Sequence, residues 1–420
     1  MGEQESFSRG TMKDLPSIQI SPITSADDCI PEYVSESFLQ TKFWGLFKAR
    51  TGWRAYACSY RFEDKGIAGH LIVLRRRFAR LFTFLYVPFG AAELIFLSER
   101  WEALAALGRA IGKSLGGTDI FIRFDVPWKR SGGLSHAEKD SPPNSEIRKS
   151  GLHKGMDVQV PDTVVLDITR NEDDLLAGMK PKWRYNIRLS QKRGVCVKDE
   201  GIQGLPTFMN LYQETARRDK IAIHPQSYYK TLFETASEVS SLIEKESLEI
   251  PKPYFSLYVA RHGSDALASI IVLHMGENAT YLYGASSDKK RNVMPAYALQ
   301  WHAITEAKKR GEKTYDFFGI PPEGYDASHP MAGLFLFKTG FGGDIVRRYG
   351  ACDVGFRPVM YWMFRAGEQL RALWHKKIKK NMGKFYHTIF KRRAPAQELG
   401  RKEQSSSDNQ DSEKTNPSNP

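Results

Sequence analysis

A lysine followed by a glycine-rich stretch is the first place in this chain where residue types and spacing could support chemistry. Lys338 lies in the run FLFKTGFGG, directly before Gly340, Gly342 and Gly343. Glycines allow a backbone to turn closely past a ligand. A lysine ammonium held in place can stabilise an oxyanion that develops on an attacked carbonyl. The alternative is a surface lysine that follows a core residue, Phe337.

A carboxylate in the motif IRFDVPW is a second candidate. Asp125 lies near the end of a predicted strand. It could accept a proton from an attacking ammonium, which requires hydrogen-bond reach of the amine. It could instead hold Arg123 and the turn before Pro127, and the residues alone favour this structural role.

No motif indicates covalent or metal chemistry. The sequence contains no serine or cysteine nucleophile elbow, no CxxC and no histidines at metal-ligand spacing. The cysteines Cys29, Cys58, Cys196 and Cys352 are widely scattered, which argues for a reducing cytoplasm and against a zinc site or a disulfide framework. We therefore expect no metal and no cofactor.

The elements that must position these residues occur twice in the chain. Residues 54–128 and 254–322 share one order of elements, with three alternating segments, a helical stretch and a further strand. IAGHLIVLRRR corresponds to ALASIIVLHMG, and IFIRFDVPW corresponds to TYDFFGIPP. A repeat of this size predicts two folded units of one design that face a shared cleft. Their element order is that of the GNAT acyltransferase core, so the predicted fold class is α+β with two GNAT-like domains.

Composition divides the chain further. The predicted organisation is a loose N-terminus (1–20), a first GNAT-like domain (21–155), a second (156–357), a basic amphipathic helical extension (358–393) and a disordered tail (394–420). The tail is rich in Ser, Asn, Gln and charge, and it cannot bury apolar surface.

Seven motifs, in order along the chain, carry a resemblance to a known family. They are FLQTKFWGLFK, RFDVPW, PDTVVLDI, MKPKWRYNIRLSQKRGV, ETARRDKIAIHPQSYY, YLYGASSDKKRNVMPAYALQWHAI and YDFFGIPP…HPMAGLFLFKTGFGG. Together they resemble the FemABX family of tRNA-dependent peptidyltransferases, which build the cross-bridge of bacterial peptidoglycan. Members of that family have twin GNAT-like domains, and this chain resembles their compact type because no long helical arm is evident.

The resemblance implies roles for several lysines and their neighbours. It places the pair Phe337–Lys338 at the junction of acceptor and donor, and it adds Asp125 as a catalytic candidate. Lys42, in QTKFW, resembles a helix-borne lysine that contacts a nucleotide-linked acceptor. A solvated helix residue is the alternative interpretation of Lys42.

The acceptor-binding pattern of the family is altered in this chain. The family places an arginine four residues before a tyrosine, and here that spacing gives His224 and Tyr228. The guanidinium is absent, and Arg217 or Arg218 could replace it. Tyr283, in YLYGASS, could hydrogen-bond the acceptor peptide or form the polar rim of a core strand.

Two basic segments are candidates for donor binding. In acetyltransferases a glycine-rich loop cradles a pyrophosphate, but here SSDKKRN carries Lys289, Lys290 and Arg291 without QxxGxG/A, which disfavours acetyl-CoA. A basic loop at a helix N-terminus would suit the phosphates of a charged tRNA. Lys182 and Arg184 stand in a second basic stretch with interleaved aromatics, which fits RNA binding or a solvated helix face.

These features predict an aminoacyltransferase. It would move an amino acid from aminoacyl-tRNA to the stem-peptide amino group of a peptidoglycan precursor, UDP-linked or lipid-linked. One rival is a GNAT-like N-acyltransferase that uses acyl-CoA or acyl carrier protein. Another is a non-catalytic membrane-associated protein that binds tRNA or the precursor. We expect a cytoplasmic monomer.

The extension predicts an association with the inner face of the plasma membrane. Between Tyr361 and Arg393 there are ten Lys/Arg against one acid, Glu368, which accounts for +9 of the net charge of +13. Apolar residues recur there at three- or four-residue spacing, as in helices that dock on anionic lipid. In one alternative, the first part of the extension packs against the domains and the rest is a solvated tail. In the other, the extension binds tRNA.

Overall fold

The strands of the computed structural model lie in two sheets of seven strands each. The structure describes residues 15–30, 35, 37–78, 82–130 and 144–371. The predicted loose N-terminus 1–20 falls partly outside these ranges, and the predicted tail 394–420 falls wholly outside them.

The first sheet repeats the order expected of a GNAT core. Its strands lie in the spatial order β1 (Ser17–Ile23), β2 (Arg54–Phe62), β3 (Ile67–Phe78), β4 (Phe82–Pro88), β5 (Phe121–Lys129), β14 (Arg348–Gly355) and β6 (His153–Lys154). Strands β1 to β4 pair antiparallel. Helix α2 (Arg100–Ser114) then leads into β5, which pairs parallel to β4.

The second sheet has the same design. Its strands lie in the order β8 (Cys196–Asp199), β9 (Tyr254–His262), β10 (Asp265–Met275), β11 (Asn278–Ser286), β12 (Thr314–Asp316), β7 (Thr163–Asp167) and β13 (Asp344–Val346). An antiparallel meander is again followed by a helix, α8 (Pro295–Lys309), and by a parallel strand, β12. The predicted α+β fold with two GNAT-like units is confirmed.

Each sheet receives its sixth strand from a segment that has just left the other sheet. Strand β7 follows β6 of the first sheet and pairs with β12 and β13 of the second. Strand β14 follows β13 of the second sheet and pairs with β5 of the first. The sequence range 156–357 assigned β14 to the second domain, whereas the strand lies in the first sheet. A sequence repeat shows which elements are alike, but it does not show which sheet a strand joins.

Helices pack on and between the sheets. They are α1 (Lys42–Arg50), α3 (Asn144–Lys149), α4 (Glu172–Gly178), α5 (Pro181–Lys192), α6 (Leu205–Asp219), α7 (Gln226–Lys245) and α9 (Ala332–Thr339). A last helix spans residues 358–371. Within the described ranges no helix has the length and apolar character needed to cross a membrane.

One hydrophobic core joins α1, α7 and both sheets. Phe43 and Phe47 of α1 belong to the same buried cluster as Leu232 of α7, Ile72 of β3 and Leu257 of β9. Burial of side chains this large is the main favourable term in folding. Residues up to Tyr361 accordingly form one compact unit, and residues from Trp362 belong to a second.

Candidate active site

Helix α9 exposes two leucines and buries its lysine. Lys338 is 6% exposed, whereas Leu334 and Leu336 are 43% and 54% exposed. The Lys338 Nζ donates to the carbonyls of Phe318 and Gly319, the second at 2.7 Å. An ammonium has three N–H donors, so one donor remains beyond these two carbonyls.

The loop after β12 is shaped to receive that ammonium. Phe318 and Gly319 both have positive φ, 52° and 40°, and this left-handed conformation is unfavourable for a phenylalanine. The Asp316 carboxylate accepts the Phe318 amide at 2.8 Å and also accepts the Thr163 hydroxyl. These bonds hold the loop with both carbonyls toward Lys338.

Burial shifts the pKa values of Lys338 and Asp316. It lowers the pKa of Lys338 from 10.5 to about 8, while the charge of Asp316 acts in the opposite direction. Burial also raises the pKa of Asp316. The Lys338 Nζ lies 5.5 Å from the ring centroid of Tyr281. At neutral pH Lys338 is therefore still an ammonium, oriented in a site of low polarity where charge interactions are strong.

The glycines after Lys338 serve close packing. A Cβ at Gly340 would lie 2.1 Å from the Trp183 ring, and one at Gly343, where φ is +89°, would lie 2.7 Å from the Val165 carbonyl oxygen. The sequence interpretation, in which these glycines turn the backbone past a ligand, is corrected at these two positions. The Trp183 ring and strand β7 occupy the space that side chains at positions 340 and 343 would need.

Phe337 packs in an aromatic cluster beside Lys338. Its ring lies 5.3 Å from Tyr297 and 5.2 Å from Phe341, centroid to centroid. Its carbonyl accepts the Trp183 indole N–H at 2.9 Å. These contacts fix the C-terminal turn of α9, and with it the direction of Lys338.

Asp125 is fully buried and binds the crossing segment, residues 155–163, which leads from β6 of the first sheet to β7 of the second. Its carboxylate accepts the Tyr86 hydroxyl and the Gln159 amide, the latter at 2.9 Å. Burial raises its pKa from 3.8 to about 6. Arg123, its expected partner in the structural interpretation, pairs with Asp353 at 2.7 Å. Asp125 therefore acts as a clamp: its carboxylate holds the crossing segment against the first sheet.

The crossing segment brings Asp125 close to the Lys338 loop. Gln159, which donates to Asp125, is followed by Val160, against which the Gly319 backbone lies, since a Cβ there would be 3.4 Å from the Val160 Cβ. Thr163, further along the same segment, bonds Asp316. The two catalytic candidates thus flank one short stretch of chain.

Lys42 begins α1 and is buried, at 8% exposure. Just before it, the Gln40 amide accepts the Ile72 amide at 2.9 Å and donates to the Pro88 carbonyl, which fastens the segment to β3 and β4. The ring of Phe38 lies 6.0 Å from that of Phe318. The segment that carries Lys42 is therefore held between the first sheet and the Lys338 loop.

The predicted acceptor residues lie together in an aromatic cluster. The rings of His224 and Tyr228 stack at 3.9 Å with an interplanar angle of 14°. Tyr228 and Tyr283 share a side-chain hydrogen bond, and Tyr283 packs edge-on against Tyr229 at 5.1 Å. Burial raises the pKa of both Tyr228 and Tyr283, so both stay protonated hydroxyls.

Two cations that sequence reasoning missed complete this cluster. The Lys48 Nζ lies 5.7 Å from the Trp53 ring and 5.5 Å from the Tyr228 ring. Arg76 also lies over the Trp53 ring, with its Cζ 5.0 Å from the centroid. Burial, together with Arg76, lowers the pKa of Lys48 to about 8. The pKa of His224 is lowered by burial and then by Lys48 and Arg76, which leaves its imidazole neutral at pH 7.

Lys48 and Arg76 have no carboxylate partner among the residues that the structure describes. Arg218, proposed from the sequence to replace the missing arginine, instead pairs with Asp219 at 2.9 Å and Asp288 at 3.2 Å. The signal for Lys48 was its place in FWGLFK, one turn after an aromatic residue, but its aromatic surroundings come from three separate segments.

Comparison with known proteins places the chain in a family. A sequence model of the FemAB family matches residues 146–243 and 247–369, more than half of the chain. This chain belongs to the FemAB family. The lipid II:glycine glycyltransferase of Staphylococcus epidermidis (strain ATCC 12228 / FDA PCI 1200) is 24% identical over 394 residues, covering 80% of this chain and 92% of the relative. That of Staphylococcus aureus (strain NCTC 8325 / PS 47) is 24% identical over 389 residues, with the same coverage.

A solved structure shares the fold. The crystal structure of FemX superposes with a TM-score of 0.61 at 19% identity, covering 81% of this chain and 98% of FemX. The likeness extends through both sheets, so the resemblance proposed from the motifs is confirmed for family and fold.

In this FemAB-family chain a hydrogen bond joins the two segments that carry the predicted donor residues. Arg193, at the end of α5, donates to the Asn292 carbonyl at 2.9 Å, which joins α5 to the loop before α8. In that loop Lys290 pairs with Asp265 at 2.7 Å and Arg291 with Asp288 at 3.5 Å, while Lys289 is exposed.

The two predicted donor residues of α5 differ in their contacts. Arg184 caps the C-terminal end of α4, since its guanidinium donates to the Ala177 carbonyl at 3.2 Å and to the Met179 carbonyl. Lys182 is exposed on the same helix. A capping guanidinium has fewer donors left for RNA, so Lys182 is the stronger candidate.

The last described helix presents an apolar face. Over 358–371 the exposed side chains include Val359 (75%), Trp362 (56%), Met363 (69%) and Leu370 (66%). Their spacing places all four on one side of a helix. The remaining residues named for the extension, up to Arg393, lie outside the described residues.

In the part of the chain that the structure describes, no group of three or more His, Cys, Asp or Glu side chains is placed to hold a metal ion.

Proposed function

We propose that this chain is an aminoacyltransferase that moves an amino acid from aminoacyl-tRNA to the stem-peptide amino group of a peptidoglycan precursor, forming the interpeptide bridge. Membership of the FemAB family and relatives named lipid II:glycine glycyltransferase support this reaction class. The observation that carries it is the buried Lys338 ammonium, held by two carbonyls with one N–H donor left over.

The chemistry is aminolysis of an activated ester. The acceptor amine forms a bond to the ester carbonyl carbon, and the carbonyl oxygen becomes an oxyanion. The third N–H of Lys338 donates to that oxygen. The intermediate then releases the ribose oxygen with the electron pair of the C–O bond, and a proton passes from the former amine to that oxygen. Two bound substrates in the right orientation require no covalent enzyme intermediate.

Asp125 acts as a clamp in this mechanism. Its oxygens accept the Tyr86 hydroxyl and the Gln159 amide, so its hydrogen bonds are committed to β4 and the crossing segment. A general base must instead reach the attacking amine. Its contribution is to hold that segment beside the Lys338 loop.

The acceptor places its diphosphate at Lys48 and Arg76. Two cations without a carboxylate partner are costly to hold together, and a bound phosphate removes that cost. They supply the charge that the family motif would take from an arginine at position 224, where this chain has His224. A diphosphate is common to UDP-linked and lipid-linked precursors. Lys42, at the start of the same helix, serves the same acceptor.

The donor tRNA lies along α5 and the loop before α8. Exposed Lys182 and Lys289 stand on segments joined by the Arg193–Asn292 bond. Basic residues at a helix N-terminus attract phosphates, and the binding that results depends on salt.

The extension holds the protein at the inner membrane surface, where a lipid-linked acceptor would be found. Exposed Met363 and Leu370 give the helix an apolar face, and the sequence that follows is strongly basic. Such helices lie in the interface of anionic membranes.

Co-sedimentation of the full chain with anionic vesicles tests this placement. Met363→Glu and Leu370→Glu should weaken binding severalfold each, because each buries a charge in the apolar phase. Phe96→Glu is the matched control, since Phe96 is 84% exposed but lies outside the extension. Equal loss in all three variants would contradict the assignment, and a loss confined to tRNA binding would assign the helix to the donor.

Mass spectrometry of muropeptides tests the function in cells. Deleting the gene should remove the amino acid from the stem peptide, and the full chain should restore it while Lys338→Met does not. Unchanged muropeptides after deletion would contradict the proposal.

A further inference from the structure

We propose that Asp316 is a positioning residue for the reaction: through the Phe318–Gly319 turn it aims the Lys338 ammonium at the reacting carbonyl. The inference rests on the proposed function, because it takes Lys338 as the group that meets the oxyanion. It assigns a role in the reaction to Asp316, which acts through Lys338 and not by contact with the substrate.

The turn that binds Lys338 contains an unfavourable backbone conformation that other contacts must stabilise. Phe318 and Gly319 have positive φ in succession, and their two carbonyls accept hydrogen bonds from the same Lys338 ammonium. Glycine adopts this conformation freely, whereas phenylalanine does so only when its surroundings enforce it. The Phe318 conformation is therefore a cost that some contact must offset.

Asp316 supplies that contact. Its Oδ1 accepts the Phe318 amide at 2.8 Å, a local bond between an aspartate and the backbone two residues later that favours a turn. The Thr163 hydroxyl donates to the same oxygen, which further fixes the carboxylate. Thr163 is the first residue of β7. The hydrogen bond between Thr163 and Asp316 therefore fixes both the start of this strand and the turn that binds Lys338.

The charge of Asp316 also acts on Lys338. The charged and titratable groups that face the ammonium are Asp316 on β12 and Tyr281 on β11, and Arg348 on β14 acts on Asp316 in turn. Asp316 favours the protonated lysine against the effect of burial. Loss of its charge should therefore let the ammonium deprotonate at a lower pH.

Two variants separate charge from geometry. Asp316→Asn keeps an oxygen that can accept the Phe318 amide but removes the charge, whereas Asp316→Ala removes both. The ratio of variant to wild-type kcat/KM cancels the ionisation of the acceptor amine. For Asp316→Asn this ratio should fall as the pH rises from about 6 to about 9, through the pKa of Lys338. For Asp316→Ala it should be low at every pH, on the order of 100-fold below wild type, as for a misplaced catalytic group.

A control variant comes from the neighbouring strand. Asp167→Asn removes a carboxylate of β7 that is exposed and accepts the Thr169 amide. Its ratio to wild type should stay flat with pH. If Asp316 only stabilises the fold, Asp316→Asn should give a flat ratio too, whatever its melting temperature, and the proposal is then overturned.

A second readout does not depend on transfer. Lys338 in the full chain, labelled with ¹³C- and ¹⁵N-lysine, is assigned by the signal that Lys338→Met lacks, and its pKa is followed by NMR. Asp316→Asn should move this titration to lower pH. An unmoved titration overturns the proposal, as does a moved titration with an unchanged activity ratio. If wild-type protein with a normal Lys338 titration transfers nothing from charged tRNA, the proposed function fails instead.

Discussion

Replacing Lys338 with methionine should separate the catalytic cost of this residue from its cost to stability. Burial lowers the pKa of the Lys338 ammonium from 10.5 to about 8, which corresponds to roughly 3 kcal/mol spent to keep the charge in the folded protein. Methionine has a similar length, carries no charge and removes that cost. It also leaves the Phe318 and Gly319 carbonyls without their donor, at about 1–3 kcal/mol.

The two terms nearly cancel. We expect the free energy of unfolding at pH 7 to change by less than about 2 kcal/mol, with either no loss or a small gain in stability. Transfer should fall by about 10²–10³-fold, the loss typical of one oxyanion donor. Between pH of about 8 and 10.5 the unfolded chain binds a proton that folded Lys338 has released, so wild-type stability should rise relative to the variant.

Chemical denaturation measures the free energy of unfolding, and single-turnover transfer from charged tRNA measures the transfer rate. Lys308→Met is a matched control, because the Lys308 ammonium also donates to two carbonyls, those of Ile168 at 3.2 Å and Thr169 at 3.1 Å. It should keep its transfer rate. A Lys338→Met protein that loses about 3–5 kcal/mol of stability, as when a buried charge network is broken, and transfers at the wild-type rate would refute the reasoning.

Three further variants test the remaining assignments. Arg76→Ala should raise KM for the acceptor by about tenfold or more with little change in kcat, since a charge-assisted contact contributes about 1.5–3 kcal/mol; a change in kcat alone, measured by steady-state kinetics, would count against it. Asp125→Asn should escape the 10²–10⁴-fold loss expected for a general base, because an amide oxygen can still accept the Gln159 N–H; transfer assays across pH check this. Lys182→Glu and Lys289→Glu should each reduce the slope of log affinity for tRNA against log salt by about 1, and an unchanged slope would remove that residue from the donor site.

The repeat could be predicted because its signal is local. The segments Arg54–Phe62 and Tyr254–His262 are strands with those bounds in the structure, since the apolar pattern of a strand can be recognised within a few residues of sequence. The exchange of β7 and β14 could not be predicted, because the partner of a strand depends on contacts between residues far apart in sequence.

The candidate site was predictable only in part, for a similar reason. Lys338 stood out because the lysine and its glycines are adjacent, although the glycines turned out to accommodate Trp183 and a strand carbonyl. Lys48 was missed because the rings around it come from α1, the turn after it and α7. Arg123 was expected beside Asp125, but it reaches Asp353, 230 residues away in sequence.

The central claim is tested most directly by transfer in a purified system. The full chain is incubated with a mixture of aminoacyl-tRNAs and, separately, UDP-linked or lipid-linked precursor, and the acceptor is weighed by mass spectrometry. We predict that one of the precursors gains the mass of an amino acid residue, that ribonuclease treatment of the donor abolishes the gain, and that Lys338→Met does so as well. A gain that survives ribonuclease or arises from acyl-CoA, or no gain on either precursor, would contradict the proposed activity.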